Sequence, residues 1–552
     1  MDERNEYLRW RNGTDERTSA ELAAIENDEE EIRERFYRRL EFGTAGLRGL
    51  LAAGANRMNV YTVRQATQGL AEYLKQTAEN PSAAVAYDTR HGSWLFAKEA
   101  AAVLAANGIK VWLYAEPAPT PMLSYAVRER LCSAGINITA SHNPANYNGY
   151  KVYGPDGCQI GPETAEAVSR LIAETDVLTG AKTCDFDTAV AEKKILLLPD
   201  SFWRRYIARV IQEGVDRAHH AGNDLSIAYT PLNGTGREPV VRCLSLAGFG
   251  NIFPVEEQFR PDGDFPTCPF PNPELPEALE LGIRLAKKEN CDFLLATDPD
   301  CDRAGVASKD GDGYRILTGN EIGALLLDFI ARARIENGIM PERPVAVRSM
   351  VSTKLADAVA AHYGIEMRKV FTGFRYVGQV IAELEAAGEA DRYIFGFEES
   401  CGYLSGTYVR DKDAVNASLL ICEAAAYWKR NGLTLAGAVD ALRAQYGYYL
   451  DSQSNFYCEG IAGAEKIQNA LGALRKQAPR TLAGRPVTAL RDYLPEADML
   501  ELTLGEDASV IIRPSGTEPK VKAYYSVRGE DQSAAEAETA ALKEAVTELL
   551  GL

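Results

Sequence analysis

The segment ITASHNPANYNGYKVYG, residues 138–154, sets a serine beside a histidine, continues with Asn143-Pro144, and carries Lys151 ten residues after the serine. A serine hydroxyl is a weak nucleophile unless a base, a metal or a fixed charge activates it, so Ser141 alone decides nothing. Pro144 disfavours the helical region for Asn143 and Gly149 loosens the chain beyond it. These features predict an extended loop after the apolar run 134–140, with the Ser141 hydroxyl projecting from it. A Ser-x-Asn-Pro turn bonded to its own backbone is the commoner use of such a serine, so the rest of the chain must decide.

A second segment, LLATDPDCDRAG at 294–305, alternates Asp298, Asp300 and Asp302 directly after an apolar run. Three carboxylates this close repel one another strongly at low dielectric unless a cation lies between them. Oxygen-only donors suit Mg²⁺ rather than Zn²⁺, with a phosphate oxygen as the usual companion, whereas the thiol of Cys301 is too soft to join them. An acidic surface turn or a calcium-type loop is the alternative.

Two further loops would serve a phosphorylated polyol. In VIIRPSGTEPKVKAY, at 510–524, the backbone N–H groups of Ser515, Gly516 and Thr517 form an anion nest flanked by Arg513 and by Lys520 or Lys522. A plain hairpin turn explains the same residues and is compatible with that use. In FGFEESCGY, at 395–403, Glu398 and Ser400 suit paired sugar hydroxyls. Arg410 and Lys412 in YVRDKDAV, Arg375 in FTGFRYVG and Arg90 in YDTRHGS supply cations, although each taken singly suits a surface ion pair as well.

These loops need a scaffold that delivers them to one place. SAAVAYDTR and KVWLY read as strands and SWLFAKEAAAVLAANG as a helix, and the alternation restarts near DLSIAYT and again near PVAVRSM. The pattern predicts an α/β protein of four domains: three similar α/β sandwich domains with mixed or parallel sheets, then a smaller α+β domain. The boundaries fall at 41–195, 196–316, 317–448 and 449–552, each domain carrying one loop, after a charged helical extension over 1–40 that reads as a solvated outer face.

The 552 residues allow about four domains at ~150 residues each. Lys plus Arg total 60 against 78 Asp plus Glu, a net charge of −18, which disfavours nucleic acid and anionic membrane as partners. An anionic substrate therefore demands cations concentrated locally. Ten cysteines without a C-x-x-C pair and five histidines suggest neither a disulfide framework nor a zinc site. The start lacks the apolar core of a signal peptide, and the apolar stretch 322–330 is too short for a membrane span, so the cytoplasm is the expected compartment.

Taken in order, TASHNP, DPDCDR, GFEES and RPSGTEP resemble the phosphoserine, metal, sugar and phosphate loops of the α-D-phosphohexomutase superfamily, and the likeness runs from about residue 42 to the C-terminus. FGTAGLRG, with Arg48, resembles the family's first active-site segment. The long N-terminus, FGTAGLRG and GFEES are most similar to the branch of long bacterial phosphoglucomutases and phosphopentomutases. Two departures stand out. Cys301 replaces the Gly or Ala common in the metal loop, and Cys401-Gly402 follows Ser400 where phosphomannomutase-type enzymes carry a histidine.

The resemblance implies that the four domains surround a central cleft, that Ser141 carries a phosphoryl group and that Mg²⁺ is held by Ser141, Asp298, Asp300 and Asp302. It implies charge neutralisation by Arg48, Lys151 and Arg303, proton transfer by Lys151 and loop orientation by His142. Substrate contacts fall to Arg303, Thr372, Gly373, Arg375, Glu398, Ser400, Arg410 and Lys412. The non-reacting phosphate falls to Arg513, Ser515, Gly516, Thr517 and Lys522. The expected reaction interconverts glucose 1-phosphate and glucose 6-phosphate through glucose 1,6-bisphosphate, which also acts as activator; phosphopentomutase or phosphomannomutase activity is the alternative. The expected partner is a small phosphosugar, and the expected unit a monomer or weak dimer.

Two rivals from other classes are weaker. A metal-dependent sugar phosphatase of the haloacid type needs a Gly-Thr or Val after its D-x-D, which DPDCDR lacks, and a zinc-dependent one needs more histidines. A non-catalytic phosphosugar sensor would be betrayed by a lost serine or aspartate, and all are present.

Overall fold

The protein is described by a computed structural model covering residues 2–217, 224–457, 460–514 and 520–551, with backbone only over 460–465. Four principal sheets follow one another along the chain. The first has six strands in the order Leu47–Leu50, Tyr147–Tyr153, Ala134–Ile138, Ser82–Tyr87, Lys110–Tyr114 and Ile195–Leu198. Its central strands pair in parallel, and the two at the Leu47–Leu50 end run antiparallel. Ser82–Tyr87 and Ala134–Ile138 are buried almost throughout, as expected for strands covered by helices on both faces.

The second sheet orders Gly313–Leu317, Ala304–Asp310, Phe293–Thr297, Ile227–Thr230 and Ile252–Pro254, and the third Glu366–Val370, Val345–Ser349, Tyr393–Glu398 and Gly402–Leu404. Both mix parallel and antiparallel pairs. The fourth, with Tyr448–Tyr457, Lys520–Gly529, Ala508–Pro514, Leu500–Thr503 and Ala489–Asp492, is antiparallel throughout. The chain is therefore an α/β protein with three α/β domains and a smaller C-terminal α+β domain. The expected division after residue 195 needs correction: Ile195–Leu198 pairs with Lys110–Tyr114, so the first sheet closes only after Leu198.

One apolar core runs from Ala84 and Tyr125 of the first domain through Phe293 of the second to Phe395 and Leu442 of the third. The first three domains are thus welded into one body. The last has its own core around Leu502, Ile512 and Leu542. It meets the third domain through the small cluster of Val351, Tyr493, Met499, Ile511 and Tyr524, beside a cavity of about 700 Å³.

The N-terminal extension departs from the solvated face expected of it. Three helices, Glu3–Gly13, Glu16–Ala23 and Glu29–Phe36, are capped by Asp2, Asp15 and Asp28, whose carboxylates accept backbone N–H groups of the first turn. Tyr7, Trp10, Leu22, Ile32 and Phe36 form a buried stripe against Ala53, Ala55, Tyr61 and Val177. Tyr7 with Trp10, and Ile32 with Phe36, stand three and four residues apart and so share a helix face, a signal masked by the charge around them. Arg35 and Arg57 tie the last helix to the stretch after Leu47–Leu50 through the carbonyls of Ala53 and Glu34.

Candidate active site

The serine loop leaves the strand Ala134–Ile138 and returns as Tyr147–Tyr153. Ser141 does not project into solvent: it is buried, with a left-handed φ of 53° and its N–H donated to Thr139 Oγ1 at 2.8 Å. That backbone conformation costs a non-glycine residue ~1–2 kcal/mol, so something must hold it. Arg90 does. Its guanidinium donates to the carbonyls of Ser141 (2.6 Å), Pro144 (2.7 Å), Tyr147 (3.3 Å) and Asn143, and its Nε lies 3.3 Å from Asp88 Oδ2. Gly149 lets the returning strand close up, because a Cβ there would lie 2.5 Å from the Thr139 carbonyl oxygen. The Ser141 hydroxyl donates to Asp298 Oδ2 at 3.1 Å and lies 3.2 Å from His142 Nδ1. Burial, with Arg303 and Arg48 nearby, pushes the His142 imidazole well below its usual value, so it stays neutral.

Asp298, Asp300 and Asp302 are all buried, and one carboxylate oxygen from each lies within 4.8 Å of the others. The metal loop is held from beneath: Thr120, first residue of the helix Thr120–Glu129, donates its N–H to the Asp300 carbonyl and its hydroxyl to Asp300 Oδ2. Lys151 Nζ bonds the same Oδ2 at 3.1 Å. Burial and the neighbouring carboxylates push Asp298 well above the usual carboxylate range and raise Asp302. Burial also opposes charge on Asp300, yet Lys151 and the hydrogen bonds hold it below the usual range. Asp300 Oδ1 and Asp302 Oδ1 are buried with no hydrogen-bond partner. Two orphaned hard oxygens beside a third carboxylate fit a divalent cation such as Mg²⁺.

The sugar loop follows the strand Tyr393–Glu398. Glu398 is buried, accepts the Gly373 N–H at 2.6 Å, and is pushed up to about 7 by burial and by Glu399. Ser400 offers its carbonyl to Arg303 Nη1 at 3.2 Å. Lys412 Nζ bonds Asp411 Oδ1 and lies 3.0 Å from Asp302 Oδ2. Its stem crosses Gly402, where a Cβ would sit 2.3 Å from Lys412 Cδ. Thr372 is half-buried beside this loop and its hydroxyl has no partner.

Arg410 and Arg375 turn elsewhere. Arg410 is fully buried, its guanidinium committed to the carbonyls of Thr407 and Val409 and to Glu385. Arg375 donates to Tyr376 Oη at 2.6 Å and lies over that ring. In the last domain Arg513 and Lys522 face each other across Ala508–Pro514 and Lys520–Gly529. Burial, with Lys520 beside it, holds the Lys522 ammonium below its usual value, while Glu399 and Glu274 pull it upward. Ser515, Gly516 and Thr517 lie outside the described residues. Arg48, opposite Gly149 in the first sheet, donates to Asn143 Oδ1 at 3.1 Å.

The site thus gathers Arg48, Arg90, Lys151, Arg303 and Lys412 in an acidic chain, as an anionic substrate requires. Thr120, Asp88 and Glu274, whose carboxylate accepts a hydrogen bond from Arg303 Nη1, belong to the assembly and were not foreseen from the sequence. A polar residue at a strand end or helix start was the available signal: Asp88 follows Ser82–Tyr87, and Thr120 opens a helix.

Comparison with known proteins places these features in a wider group. Family models described as phosphoglucomutase/phosphomannomutase match the chain in order: alpha/beta/alpha domain I over residues 39–178, domain II over 204–311, domain III over 318–446, and the C-terminal domain over 475–544. A phosphoglucomutase of Staphylococcus aureus (strain MRSA252) is 35% identical over 522 residues, covering 91% of this chain and 92% of its own. One from Staphylococcus haemolyticus (strain JCSC1435) is 35% identical over 510 residues, 89% of this chain and 91% of its own. Two solved structures share the fold. A phosphoglucomutase/phosphomannomutase family protein from Burkholderia thailandensis has a TM-score of 0.69 at 18% identity, covering 92% of this chain and 97% of that one. The open form of the Paramecium phosphoglucomutase pp63/parafusin has a TM-score of 0.72 at 19% identity, covering 94% and 96%.

Proposed function

This chain belongs to the phosphoglucomutase/phosphomannomutase family, and from that premise we propose that it interconverts glucose 1-phosphate and glucose 6-phosphate by lending and retrieving a phosphoryl group held on Ser141. The observation that carries this reading is the Ser141 hydroxyl, 3.1 Å from Asp298 and fixed over three buried aspartates. A hydroxyl so placed needs no base to make it a nucleophile if it arrives already esterified, because the sugar hydroxyl is then the attacking group. Asp298, Asp300, Asp302 and the Ser141 phosphoryl group would hold Mg²⁺, which supplies positive charge to the transferring phosphoryl oxygens.

The chain's own residues do the rest. Arg48 and Arg303 would offset the charge that grows on those oxygens as the bond to Ser141 loosens. One P–O bond forms at the sugar hydroxyl while the bond to Ser141 breaks. The proton moves in one relay: Lys151 Nζ gives a proton to Ser141 Oγ as it takes up the one from the sugar hydroxyl, so the ammonium is regenerated. Glu398, held by Gly373, accepts sugar hydroxyls, and Arg513 with Lys522 grips the phosphate that is not reacting. The product of the first half is glucose 1,6-bisphosphate, which must turn end for end before the second phosphate is returned to Ser141. Arg90 and the welded core keep the serine loop still while this happens.

Glucose is favoured over mannose because Cys401 follows Ser400, and because the matched phosphoglucomutases span nine-tenths of the chain. One chain supplies every described loop, which suits a monomer or weak dimer. Nine cysteines are free thiols among the described residues, which suits a reducing compartment such as the cytoplasm. Among those residues, too, no helix is long and apolar enough to cross a membrane.

Purified protein with Mg²⁺ and a trace of glucose 1,6-bisphosphate should convert glucose 1-phosphate faster than mannose or ribose 1-phosphate. Phosphopeptide mapping should place an ester on Ser141. Inorganic phosphate as the main product, or active protein with no ester within 138–154, refutes the reading.

A further inference from the structure

Arg303 stands where the metal loop meets the sugar loop. Its N–H donates to Asp298 Oδ1 at 3.0 Å, it forms an antiparallel bridge with Gly402, and its Nη1 donates to the Ser400 carbonyl. Ala304 repeats the link by donating its N–H to the Cys401 carbonyl at 3.0 Å. These two loops belong to different domains, so Arg303 ties one domain's loop to the other's.

The guanidinium needs something to stop it turning. An arginine side chain has four rotatable bonds, and the Ser400 carbonyl with a long 3.8 Å approach of Nε to Asp302 Oδ1 would leave it several orientations. The second anchor is Glu274, outside every motif, whose Oε1 lies 2.5 Å from Arg303 Nη1. Its loop is built in advance: Asn272 Oδ1 accepts the Glu274 N–H at 3.1 Å, and the Asn272 carbonyl accepts the Leu275 N–H at 3.0 Å. The loop also touches the strand leaving the metal site. A Cβ on Gly305 would lie 2.6 Å from the Pro273 carbonyl oxygen, so only glycine admits this approach. The Glu274 side chain is 29% exposed against 18% for that of Arg303, so the pair is partly open to solvent rather than sealed in a core.

Resting on the mutase reading above, we propose that Glu274 is a positioning residue. It fixes the Arg303 guanidinium so that the metal loop and the sugar loop stay in register, and the sugar hydroxyl meets the phosphoryl group at the right distance.

The test uses full-length protein carrying Glu274→Ala, Glu274→Gln and Glu274→Asp, alone and with Arg303→Lys. Misplacement of a reacting group costs up to ~100-fold, so Glu274→Ala should lower kcat by about 10- to 100-fold while KM moves less than about threefold. Glu274→Asp should recover part of the loss and Glu274→Gln less. In the Arg303→Lys background, Glu274→Ala should add less than about twofold, because the two act as one unit. Hydrogen exchange without substrate should quicken in both 298–305 and 398–404. Multiplicative losses in the double variant, a loss confined to KM, or unchanged exchange at 398–404 would overturn the proposal. Since exchange is read without turnover, it separates this inference from the mutase reading: a wild type inactive on sugar phosphates sinks the reading and leaves the exchange result standing.

Discussion

Lys412, in the third domain, holds its ammonium 3.0 Å from Asp302 Oδ2 in the second, with 10% and 2% of their side chains exposed. Removing one member of a buried pair strands the other, at a cost of ~3–5 kcal/mol. Lys412→Met is therefore expected to lower unfolding free energy by about 3 kcal/mol in urea titration, and kcat by at least about tenfold. Gly402→Ala should mimic part of this, since its Cβ would displace the Lys412 stem. A stability change under about 1 kcal/mol in Lys412→Met would show that the pair does not join the domains.

Ser141→Ala removes the oxygen proposed to carry the phosphoryl group and little else. Turnover is expected to fall on the order of 10⁴-fold or more, the scale on which a lost nucleophile registers. The melting temperature should move by only a few degrees, because alanine fits the same buried space. Appreciable residual mutase activity would take Ser141 out of the mechanism.

Arg90 carries the serine loop on one guanidinium. Arg90→Ala leaves Asp88 buried and unpaired and frees four carbonyls, so a loss of about 3–5 kcal/mol is expected with a fall in kcat. Arg90→Lys should recover only part of it, since an ammonium cannot reproduce the planar fork. Full recovery of kcat and stability by lysine would refute the clamp.

Glu398 gives a pH signature. Its folded value of about 7 lies above the ordinary 4.5, so between those values the folded chain binds the extra proton. The contribution of this group to stability is then greatest at low pH, declines as pH rises from about 4.5 to about 7, and is level above that. Glu398→Gln should flatten the slope in melts from pH 5 to 8. In the wild type, KM for glucose 1-phosphate should fall as pH rises through about 7 and the carboxylate becomes free to accept hydroxyls; a KM with the same pH dependence in Glu398→Gln would assign the change to the substrate instead.

Much of the site was legible because its chemistry is local. Asp298, Asp300 and Asp302 are neighbours in the chain, and their repulsion after an apolar strand already asks for a cation. What could not be read was who holds these loops, because the holders come from far away. Arg90 binds carbonyls 51 to 57 residues on, Thr120 meets Asp300 across 180 residues, and Lys412 meets Asp302 across a domain boundary. Arg410 shows the reverse error: its position beside Lys412 suggested a substrate contact, yet burial and Glu385 claim it for the scaffold. The N-terminal stripe was hidden by its acidic surroundings, although Tyr7, Trp10, Ile32 and Phe36 carry a helical period.

The strand Leu47–Leu50, which bears Arg48, finds its partner only at Tyr147–Tyr153. At the ~5–20 residues per second of synthesis, the hundred intervening residues take on the order of 5–20 s to emerge. Throughout that interval an unpaired strand edge stands beside the newborn N-terminus. The three helices before it meet Ala53, Ala55 and Tyr61 almost at once. They can therefore begin to close over their apolar stripe on the ribosome, while its Val177 side and the strand edge wait for the rest of the first domain.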